Sequence, residues 1–511
     1  MTKKTVILVV LDGWGIGRED ESNPIHVANP KSFSWLKENF PMTSLRASGI
    51  AIGLPWGEVG NSEVGHLTLG AGKVLYQYYP KIMMAIQDKT FFGNPALKGA
   101  FEHAKKNNSA VNLVGLLSKG NVHASLDHVR ALLEMATREG VSNVKLHLFA
   151  DGKDSPPKTV QSFLKEIPQD KLATLVGRYY AMDRNQNWRL TETCYQNMTG
   201  GSGTVVADPN PSIEATFKKG LTEEYLPPLR FGEGKTIAEN DAVIFFNFRE
   251  DSMRQLAEAF VVKSFDKFAV KNFQNLHIAT MTNYEEKFTV PVAFAADTVE
   301  RPLGQLLSDA GKNQMRLAET YKYAHITYFF NGYREQPFKN EYRALIPSLS
   351  TPRPEEHPEM MAGPITDRLI DAIQELAFDF ILVNYSNGDT MAHTSSYDAG
   401  LKAVQIIDRE MEKLLKVAVS DKIALLVTSD HGNVEEMINP ATALPESQHD
   451  ANPVPFYLVA PEFRGRKFAN WKNLANETMG SLADVAPTVL ELMGIKKPEE
   501  MTGRSLLEGL M

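Results

Sequence analysis

The sequence has a single cysteine, no long hydrophobic run and no excess of positive charge. Cys194 can form neither an internal disulfide nor a thiolate metal cluster, which fits a reducing cytosol. No apolar stretch approaches the roughly 20 residues needed to cross a bilayer. We therefore expect no membrane association and a cytoplasmic protein. The formal net charge of −8 argues against a nucleic-acid partner, because such proteins neutralise phosphates with a basic surface. Small-molecule partners are expected instead.

The apolar residues that are present fall into short runs bounded by Gly, Asp or Asn. The runs that predict strands are "TVILVVLDG", "VNLVGLLSKG", "VKLHLFADGKD", "AVIFFNFRED", "DFILVNYSNGD" and "KIALLVTSDHGN". Between them, "HVRALLEMATREG" and "LKAVQIIDREMEKLLKVA" place apolar residues three and four apart, which predicts helices. Continuous apolar strands that alternate with helices indicate parallel sheets covered on both faces, so the predicted fold class is α/β. The Pro-rich segment 347–360 is expected to be an extended surface loop.

Three aspartates stand at the carboxyl ends of predicted strands. They are Asp12, Asp389 and Asp430. In open α/β sheets, ligands bind beyond these strand ends, where loops gather side chains from distant parts of the chain. An aspartate after a strand is commonly only a turn former or a helix cap. The presence of three, two of them with histidines nearby, favours a functional site.

The same segments carry candidate metal ligands. "DTMAH" places Asp389 and His393 four residues apart, "SDHGN" joins Asp430 to His431, and His449 lies in "SQHDANPVPF". An isolated Asp and His at this spacing would be an ordinary hydrogen-bonded pair on a helix, so the whole set carries the argument. Carboxylate and imidazole suit manganese, zinc or iron in a site without thiolates.

The stretch "GNSEVGHLTLG" at 60–70 contains one serine between glycines. A polar surface turn is the plain interpretation. With Asp12 and the Ser62 hydroxyl added, however, the candidate ligands supply enough donors for two adjacent ions. A two-metal site suits phosphoryl transfer, because it can activate an alcohol nucleophile and neutralise charge on the phosphate oxygens. Ser62 is the candidate nucleophile.

Seven motifs in this order resemble the cofactor-independent phosphoglycerate mutases, which are alkaline-phosphatase-like metalloenzymes. The motifs are "LDGWG", "GNSEVGHLTLGAG", "DGKDSPP", "RYYAMDR", "FNFRED", "DHGN" and "NPVPF". The resemblance covers nearly the whole chain, and it implies an α/β phosphatase-like domain split between residues 1–74 and 298–511. An α/β phosphotransferase domain is then inserted at 75–297. The implied protein is a monomer.

The resemblance also implies the metal and substrate residues. Two divalent ions, Mn²⁺ in this family, would be held by two sets, one of Asp389, His393 and His449, and the other of Asp12, Ser62, Asp430 and His431. The phosphoglycerate substrate would be bound by His123, Asp154, Arg184, Arg249 and Lys322. Ser62 would accept the phosphate without bisphosphoglycerate, Asp154 would be the general base and acid, and Lys322 would stabilise charge on the phosphate.

The cationic residues around the substrate depart from the family pattern. The usual "DGRD" is "DGKD" here, so Lys153 replaces a bidentate guanidinium with a point charge. At a position where the family has arginine, this chain has Leu190, and Arg189 lies one place earlier. At a second such position this chain has Ser252, and Arg254 is the candidate that would supply the missing guanidinium. The usual "SDGGVHSH" is "SKGNVHAS", which keeps His123.

Three functions follow from this sequence. The first is the isomerisation of 3-phosphoglycerate and 2-phosphoglycerate. The second is a related metallohydrolase or a mutase acting on another phosphorylated hydroxy acid, and it is favoured by the cationic residues that differ from the family pattern. The third is a catalytically silent paralogue kept as a metal-bound binding or structural protein. The complete set of ligands and the intact nucleophile argue against the third function.

Overall fold

The computed structural model describes residues 4–232, 234–466 and 477–510. The chain divides into two compact units. The first unit comprises Met1–Gln77 with Asp297–Met511, and the second unit comprises Tyr78–Ala296. The chain leaves the first unit after Gln77 and returns to it at Asp297, so the second unit is inserted in the first.

Strands and helices alternate along the described residues. The strands are β1 (Thr5–Leu11), β2 (Met42–Arg46), β3 (Val111–Leu117), β4 (Val144–Ala150), β5 (Leu172–Gly177), β6 (Thr204–Val205), β7 (Leu229–Arg230), β8 (Ala242–Phe245), β9 (His277–Thr280), β10 (Gln314–Glu319), β11 (Glu341–Ile346), β12 (Phe380–Tyr385), β13 (Ile423–Thr428), β14 (Val454–Val459) and β15 (Gly480–Ser481). The helices are α1 (Pro24–Ala28), α2 (Lys31–Asn39), α3 (Ser62–Ala71), α4 (Tyr78–Gln87), α5 (Pro95–Asn107), α6 (Leu126–Arg138), α7 (Val160–Leu164), α8 (Arg178–Ala181), α9 (Trp188–Thr199), α10 (Asn210–Lys218), α11 (Arg254–Val261), α12 (Leu303–Asp309), α13 (Ala362–Glu375), α14 (Asn387–Ala392), α15 (Tyr397–Ala418), α16 (Val485–Leu492) and α17 (Leu507–Leu510).

The first unit is built on an eight-stranded sheet in the order β11-β10-β12-β1-β13-β14-β2-β15. The run from β11 to β13 is parallel, and β14 is antiparallel to both of its neighbours. Alternate residues of β1 enter two different cores. Ile7 and Val9 pack in one with α13 and α15, whereas Val6 and Leu8 pack in the other with α12 and α16. Both faces of β1 are buried, which explains its unbroken apolar sequence.

The second unit is built on a seven-stranded sheet in the order β6-β7-β5-β4-β3-β8-β9. The strands from β5 to β9 are parallel, and β7 is antiparallel to β5. One hydrophobic core contains the inner strands together with apolar residues of α5, α6 and α9. Each unit therefore has its own parallel sheet and its own core.

The α/β prediction is confirmed. All six predicted strands are present as β1, β3, β4, β8, β12 and β13, and the two predicted helices are α6 and α15. The Pro-rich segment 347–360 is a loop, but its carboxyl end is not exposed: Met360 is buried, and Asn387 Nδ2 donates to the Pro358 carbonyl at 2.8 Å. Within the described residues, no helix combines the length and the apolar character that a membrane span requires.

Candidate active site

The carboxyl ends of adjacent parallel strands in the first unit bring the predicted residues together. Asp12 directly follows β1, Asp389 lies in α14 just after β12, and Asp430 comes two residues after β13. Lys322 follows β10, the next strand in the sheet. We call the cluster the acidic–imidazole site; its members are Asp12, Ser62, Lys322, Asp389, His393, Asp430, His431 and His449.

Ser62 is the first residue of α3. Asn61 caps this helix by accepting a hydrogen bond from the Val64 amide. The flanking glycines allow close approach: a Cβ at Gly65 would lie 2.5 Å from the Asp430 carbonyl, and one at Gly60 would lie 2.2 Å from the Ala47 carbonyl. The glycines therefore let α3 bring the Ser62 hydroxyl against the loop after β13.

The Lys322 ammonium joins the nucleophile candidate to two carboxylates. Its Nζ lies 2.7 Å from Ser62 Oγ, 2.6 Å from Asp12 Oδ1 and 2.7 Å from Asp389 Oδ2. The side chain is buried. Burial disfavours the charged form, but the carboxylates outweigh it and raise the pKa of Lys322 above its ordinary value. The ammonium is therefore charged throughout the neutral pH range.

One candidate metal group consists of Asp389, His393 and His449. Both imidazole Nε2 atoms lie 3.2 Å from Asp389 Oδ1 and 3.0 Å from each other. His393 Nδ1 lies 2.9 Å from the Ser447 carbonyl, and His449 Nδ1 lies 2.8 Å from the Gly60 carbonyl. Because a carbonyl accepts the hydrogen of each Nδ1, both Nε2 lone pairs are directed at the carboxylate, as metal-ligating histidines require.

The second candidate metal group consists of Asp12, Asp430 and His431. His431 Nε2 lies 3.5 Å from an oxygen of each aspartate and 2.9 Å from Ser62 Oγ. Ser62 Oγ is in turn 3.1 Å from Asp12 Oδ1. The serine hydroxyl thus lies beside a carboxylate, an imidazole and the Lys322 ammonium.

The charges of this site fit divalent cations. Three buried carboxylates face one ammonium. Burial favours the neutral ring of His431, yet the neighbouring carboxylates, Asp430 foremost, raise its pKa to about 10. The carboxylate charge that holds a proton on His431 also attracts a divalent cation, and binding of the cation would release that proton. The two groups offer carboxylate oxygens and imidazole nitrogens, and a carbonyl lies beside Nδ1 of each imidazole. Such donors are suited to first-row divalent metals.

Three polar residues that sequence analysis missed orient these side chains. Asn384 Nδ2 donates to Asp12 Oδ2 at 2.8 Å, and Asn433 Nδ2 donates to Asp389 Oδ1 at 2.9 Å. His66 Nδ1 lies 3.1 Å from Asp430 Oδ2. Asn433 belongs to the quoted "DHGN" and His66 to "GNSEVGH", so their positions were visible, but a motif does not say which carboxylate each side chain contacts.

In the second unit, the loop after β4 forms around the buried carboxylate of Asp151. Its Oδ1 accepts from the amide of Asp154 at 2.9 Å, and its Oδ2 accepts from the amide of Ser155 at 2.7 Å and from Ser118 Oγ at 2.6 Å. Arg178 Nη1 lies 2.7 Å from Asp151 Oδ1. Asp151 therefore fixes the backbone that carries Asp154.

Asp154 contacts two further side chains of the second unit. His123 Nδ1 lies 2.6 Å from its Oδ2, and Arg178 Nη1 lies 2.8 Å from its Oδ1. Burial opposes ionisation of Asp154, but the hydrogen bonds from His123 and Arg178 lower its pKa below the ordinary value. Arg178 is the first residue of the quoted "RYYAMDR", yet sequence analysis gave it no role.

Two arginines gather beside these residues around an unpredicted aspartate. Arg184 Nη1 lies 2.5 Å and Arg249 Nη2 lies 3.3 Å from Asp251 Oδ2, and His123 Nε2 lies 3.8 Å from Asp251 Oδ1. Both arginine side chains are about half exposed, at 56% and 46%. We call this cluster the arginine–histidine site; its members are His123, Asp154, Arg178, Arg184, Arg249 and Asp251.

In the part of the chain that the structure describes, the candidate replacements for the missing arginines form no hydrogen bond or ion pair with the side chains of this cluster. Arg254 Nε donates to the Tyr284 carbonyl at 2.8 Å, and the Ser252 side chain is buried. Lys153 and Arg189 are exposed, and among the described residues neither side chain forms a hydrogen bond or ion pair. The expectation that Arg254 replaces a guanidinium stays a prediction.

These two units and the acidic–imidazole site define an α/β enzyme with two candidate metal-binding groups. Residues 82–286 match the family described as BPG-independent PGAM N-terminus. A 2,3-bisphosphoglycerate-independent phosphoglycerate mutase of Thermomicrobium roseum is 44% identical, covering 98% of each chain. The Clostridium tetani enzyme of the same name is 41% identical, covering 100% of each chain. The chain belongs to the 2,3-bisphosphoglycerate-independent phosphoglycerate mutase family, whose members are isomerases.

A solved structure gives the same result at the level of the fold. The phosphoglycerate mutase of Leishmania mexicana, crystallised at low cobalt concentration, superposes with a TM-score of 0.53 at 27% identity. The match covers 99% of this chain and 98% of that one. The similarity therefore extends over both units.

Proposed function

We propose that this protein interconverts 3-phosphoglycerate and 2-phosphoglycerate without bisphosphoglycerate, by way of a phosphoserine on Ser62. The observation that carries the proposal is the environment of Ser62 Oγ, which lies 2.7 Å from Lys322 Nζ, 2.9 Å from His431 Nε2 and 3.1 Å from Asp12 Oδ1. A cation beside the oxygen stabilises its ionised form and the charge that develops on the phosphate.

Two divalent ions, Mn²⁺ in our proposal, would be held by the two candidate metal groups. When bound, they would supply Lewis-acid stabilisation of the serine oxyanion and of the phosphate oxygens. Asp389, His393 and His449 would hold one ion; Asp12, Ser62, Asp430 and His431 would hold the other. Carboxylate and imidazole donors without thiolate are compatible with this choice of metal.

The arginine–histidine site is proposed to bind the glycerate. The guanidinium groups of Arg184 and Arg249 are open enough to accept a carboxylate or a phosphate in place of Asp251. The His123–Asp154 pair is proposed to exchange protons with the glycerate hydroxyls. The second unit is accordingly the proposed phosphotransferase domain, and Lys322 is the proposed electrophile for the phosphate.

An assay coupled to enolase tests the proposed activity. With Mn²⁺ and without bisphosphoglycerate, the purified protein should convert 3-phosphoglycerate into 2-phosphoglycerate. Acid-quenched enzyme should contain a phosphorylated peptide that includes Ser62, and Ser62→Ala should abolish both signals. Turnover that requires added bisphosphoglycerate would exclude the phosphoserine route.

A second candidate is a phosphohydrolase or a mutase for another phosphorylated hydroxy acid. The observation that favours it is the position of Arg254, which contacts the Tyr284 carbonyl, together with the exposed side chain of Lys153. Fewer guanidinium groups then remain to bind a phosphorylated acid. Accumulation of free phosphate from 3-phosphoglycerate, without 2-phosphoglycerate, would support this candidate over the first.

A further inference from the structure

His123 and Asp154 form a hydrogen-bonded dyad whose orientation identifies the atom that exchanges the proton. His123 Nδ1 lies 2.6 Å from Asp154 Oδ2 and 3.4 Å from Arg178 Nη2. Because the carboxylate is much the closer partner and can only accept, one hydrogen lies between His123 Nδ1 and Asp154. The other ring nitrogen, Nε2, is 3.8 Å from Asp251 Oδ1, beyond hydrogen-bond distance. The ring is buried but for 6% of its surface. The Nε2 atom therefore remains available to a ligand.

Both oxygens of Asp154 are already engaged. Oδ2 accepts from His123, and Oδ1 lies 2.8 Å from Arg178 Nη1. Arg178, itself 8% exposed, also lies 2.7 Å from Asp151 Oδ1. The lowered pKa of Asp154 agrees with this geometry, since an ionised carboxylate accepts hydrogen bonds from both partners. An ionised Asp154 leaves the shared hydrogen on His123 Nδ1.

We infer that His123 Nε2 is the atom that exchanges a proton with the glycerate oxygens, and that Asp154 and Arg178 are positioning residues that hold its ring. This inference rests on the proposed function and refines it, because it moves the acid–base role from the carboxylate to the imidazole. A carboxylate that fixes the tautomer and orientation of a catalytic imidazole is an established arrangement in enzymes.

One proton suffices for both halves of the reaction. His123 enters the reaction with a hydrogen on both ring nitrogens. As the Ser62 oxyanion forms a bond to phosphorus, the bond from phosphorus to the first glycerate oxygen breaks, and that oxygen takes the proton from Nε2, which leaves the neutral ring with its hydrogen on Nδ1. In the second half, the other glycerate hydroxyl returns a proton to Nε2 while its oxygen bonds to phosphorus. The bond from Ser62 Oγ to phosphorus then breaks, and its electron pair stays on Oγ.

Substitutions separate a proton carrier from an orienting carboxylate. We expect His123→Ala to lower kcat by between about 100-fold and 10,000-fold. Asp154→Ala should have a smaller effect, and the double variant should be no slower than His123→Ala by more than about threefold, because Asp154 acts only through the ring. His103→Ala is the matched control, since His103 bonds the Asn240 carbonyl elsewhere in the second unit and should leave kcat unchanged.

Imidazole in the buffer provides a second readout. It should restore part of the turnover of His123→Ala, with wild type and His103→Ala measured at the same imidazole concentration to correct for metal binding. The inference is overturned if His123→Ala keeps more than about a tenth of the wild-type kcat, or if the losses from the two single variants multiply in the double variant. If added imidazole does not enter the site, the kcat of the double variant still shows whether Asp154 acts only through His123.

The tautomer of His123 and the kinetics of Arg178 variants distinguish positioning residues from residues that only support the fold. In ¹⁵N-labelled wild type, at a pH high enough to leave the ring neutral, His123 should carry its one hydrogen on Nδ1, and Asp154→Asn should shift that hydrogen to Nε2. Arg178→Gln should lower kcat more than it raises KM, with partial recovery in Arg178→Lys. The tautomer measurement needs no turnover. A wild type without mutase activity would therefore refute the proposed function, and a neutral wild-type ring with its hydrogen on Nε2 would separately refute this inference.

Discussion

Lys322 Nζ lies 2.7 Å from Ser62 Oγ, although 260 residues separate the two in the chain. The same nitrogen contacts Asp12 and Asp389, one from each candidate metal group. A single ammonium thus neutralises part of the carboxylate charge and lies where charge would develop on a phosphate bound to Ser62. Substitution of Lys322 therefore has a defined expected outcome.

Lys322→Met should lower kcat by about 100-fold to 1,000-fold, because it removes a preorganised cation from the reacting oxygen. KM should change far less. The enolase-coupled assay measures both constants. Lys339→Met, which changes an exposed lysine of the same unit, should behave as wild type. A Lys322→Met enzyme with more than about a tenth of the wild-type kcat would contradict the assignment.

Removal of divalent metal should abolish turnover and lower the thermal stability of the first unit. Adding Mn²⁺ to about 100 times its Kd should then stabilise that unit by about 2.7 kcal/mol, because only the folded state assembles the ligands. Asp389→Asn should lose most of the increase in Tm, since Asp389 Oδ1 lies 3.2 Å from both ligand imidazoles. Asp309→Asn, at an exposed ion pair with Arg301, is the control. An equal Tm increase in both variants would count against the site.

The arginine side chains should differ in their effect on substrate binding. Arg249→Gln should raise KM for 3-phosphoglycerate by about tenfold or more, because a charged hydrogen bond is worth about 1.5–3 kcal/mol. Arg254→Gln should raise it less than about threefold, since the Arg254 guanidinium bonds the Tyr284 carbonyl. Steady-state kinetics of the two variants measure the difference. Equal increases would restore Arg254 as a substrate contact.

The second unit should lose stability in acid because of His128. The ring is fully buried between Tyr79 and Phe248, and within the described residues neither ring nitrogen has a hydrogen-bond partner. Burial lowers the pKa of His128 to about 3. The unfolded chain binds this proton below about pH 6.5 and the folded chain does not, so stability falls by about 1.4 kcal/mol per pH unit between these values.

His128→Leu should make the acid dependence shallower, because the buried His147, whose pKa burial likewise lowers to about 3, keeps its own contribution. It should also raise the unfolding free energy near neutral pH by about 1 kcal/mol or more, because two unpaired buried nitrogens disappear. Hydrogen exchange of α6 as a function of pH measures the effect within the second unit. His357→Gln, at a half-exposed histidine, should leave the profile unchanged. The explanation fails if α6 exchanges with the same pH dependence in His128→Leu and wild type.

The sequence by itself determined the fold class, six of the strands and two of the helices. Runs such as "TVILVVL" are apolar at every position because both faces of a central parallel strand are buried, and this pattern is local. The aspartates at strand ends were equally visible, because parallel strands in one sheet end at one edge. The residue types near these strand ends made Ser62 and the imidazoles candidates, and the family resemblance implied how they divide between two ions.

Only the tertiary structure decided which of these side chains contact one another. Lys322 and Asp12 are 310 residues apart, and their 2.6 Å contact depends on the strand order β10-β12-β1. Arg178 and Asp251 lie in the family motifs, but the residues that they contact, Asp154 and Arg184 respectively, come from other segments of the second unit. Periodicity and turn chemistry are properties of neighbours in sequence, whereas the charge that surrounds a carboxylate depends on the packing of distant segments.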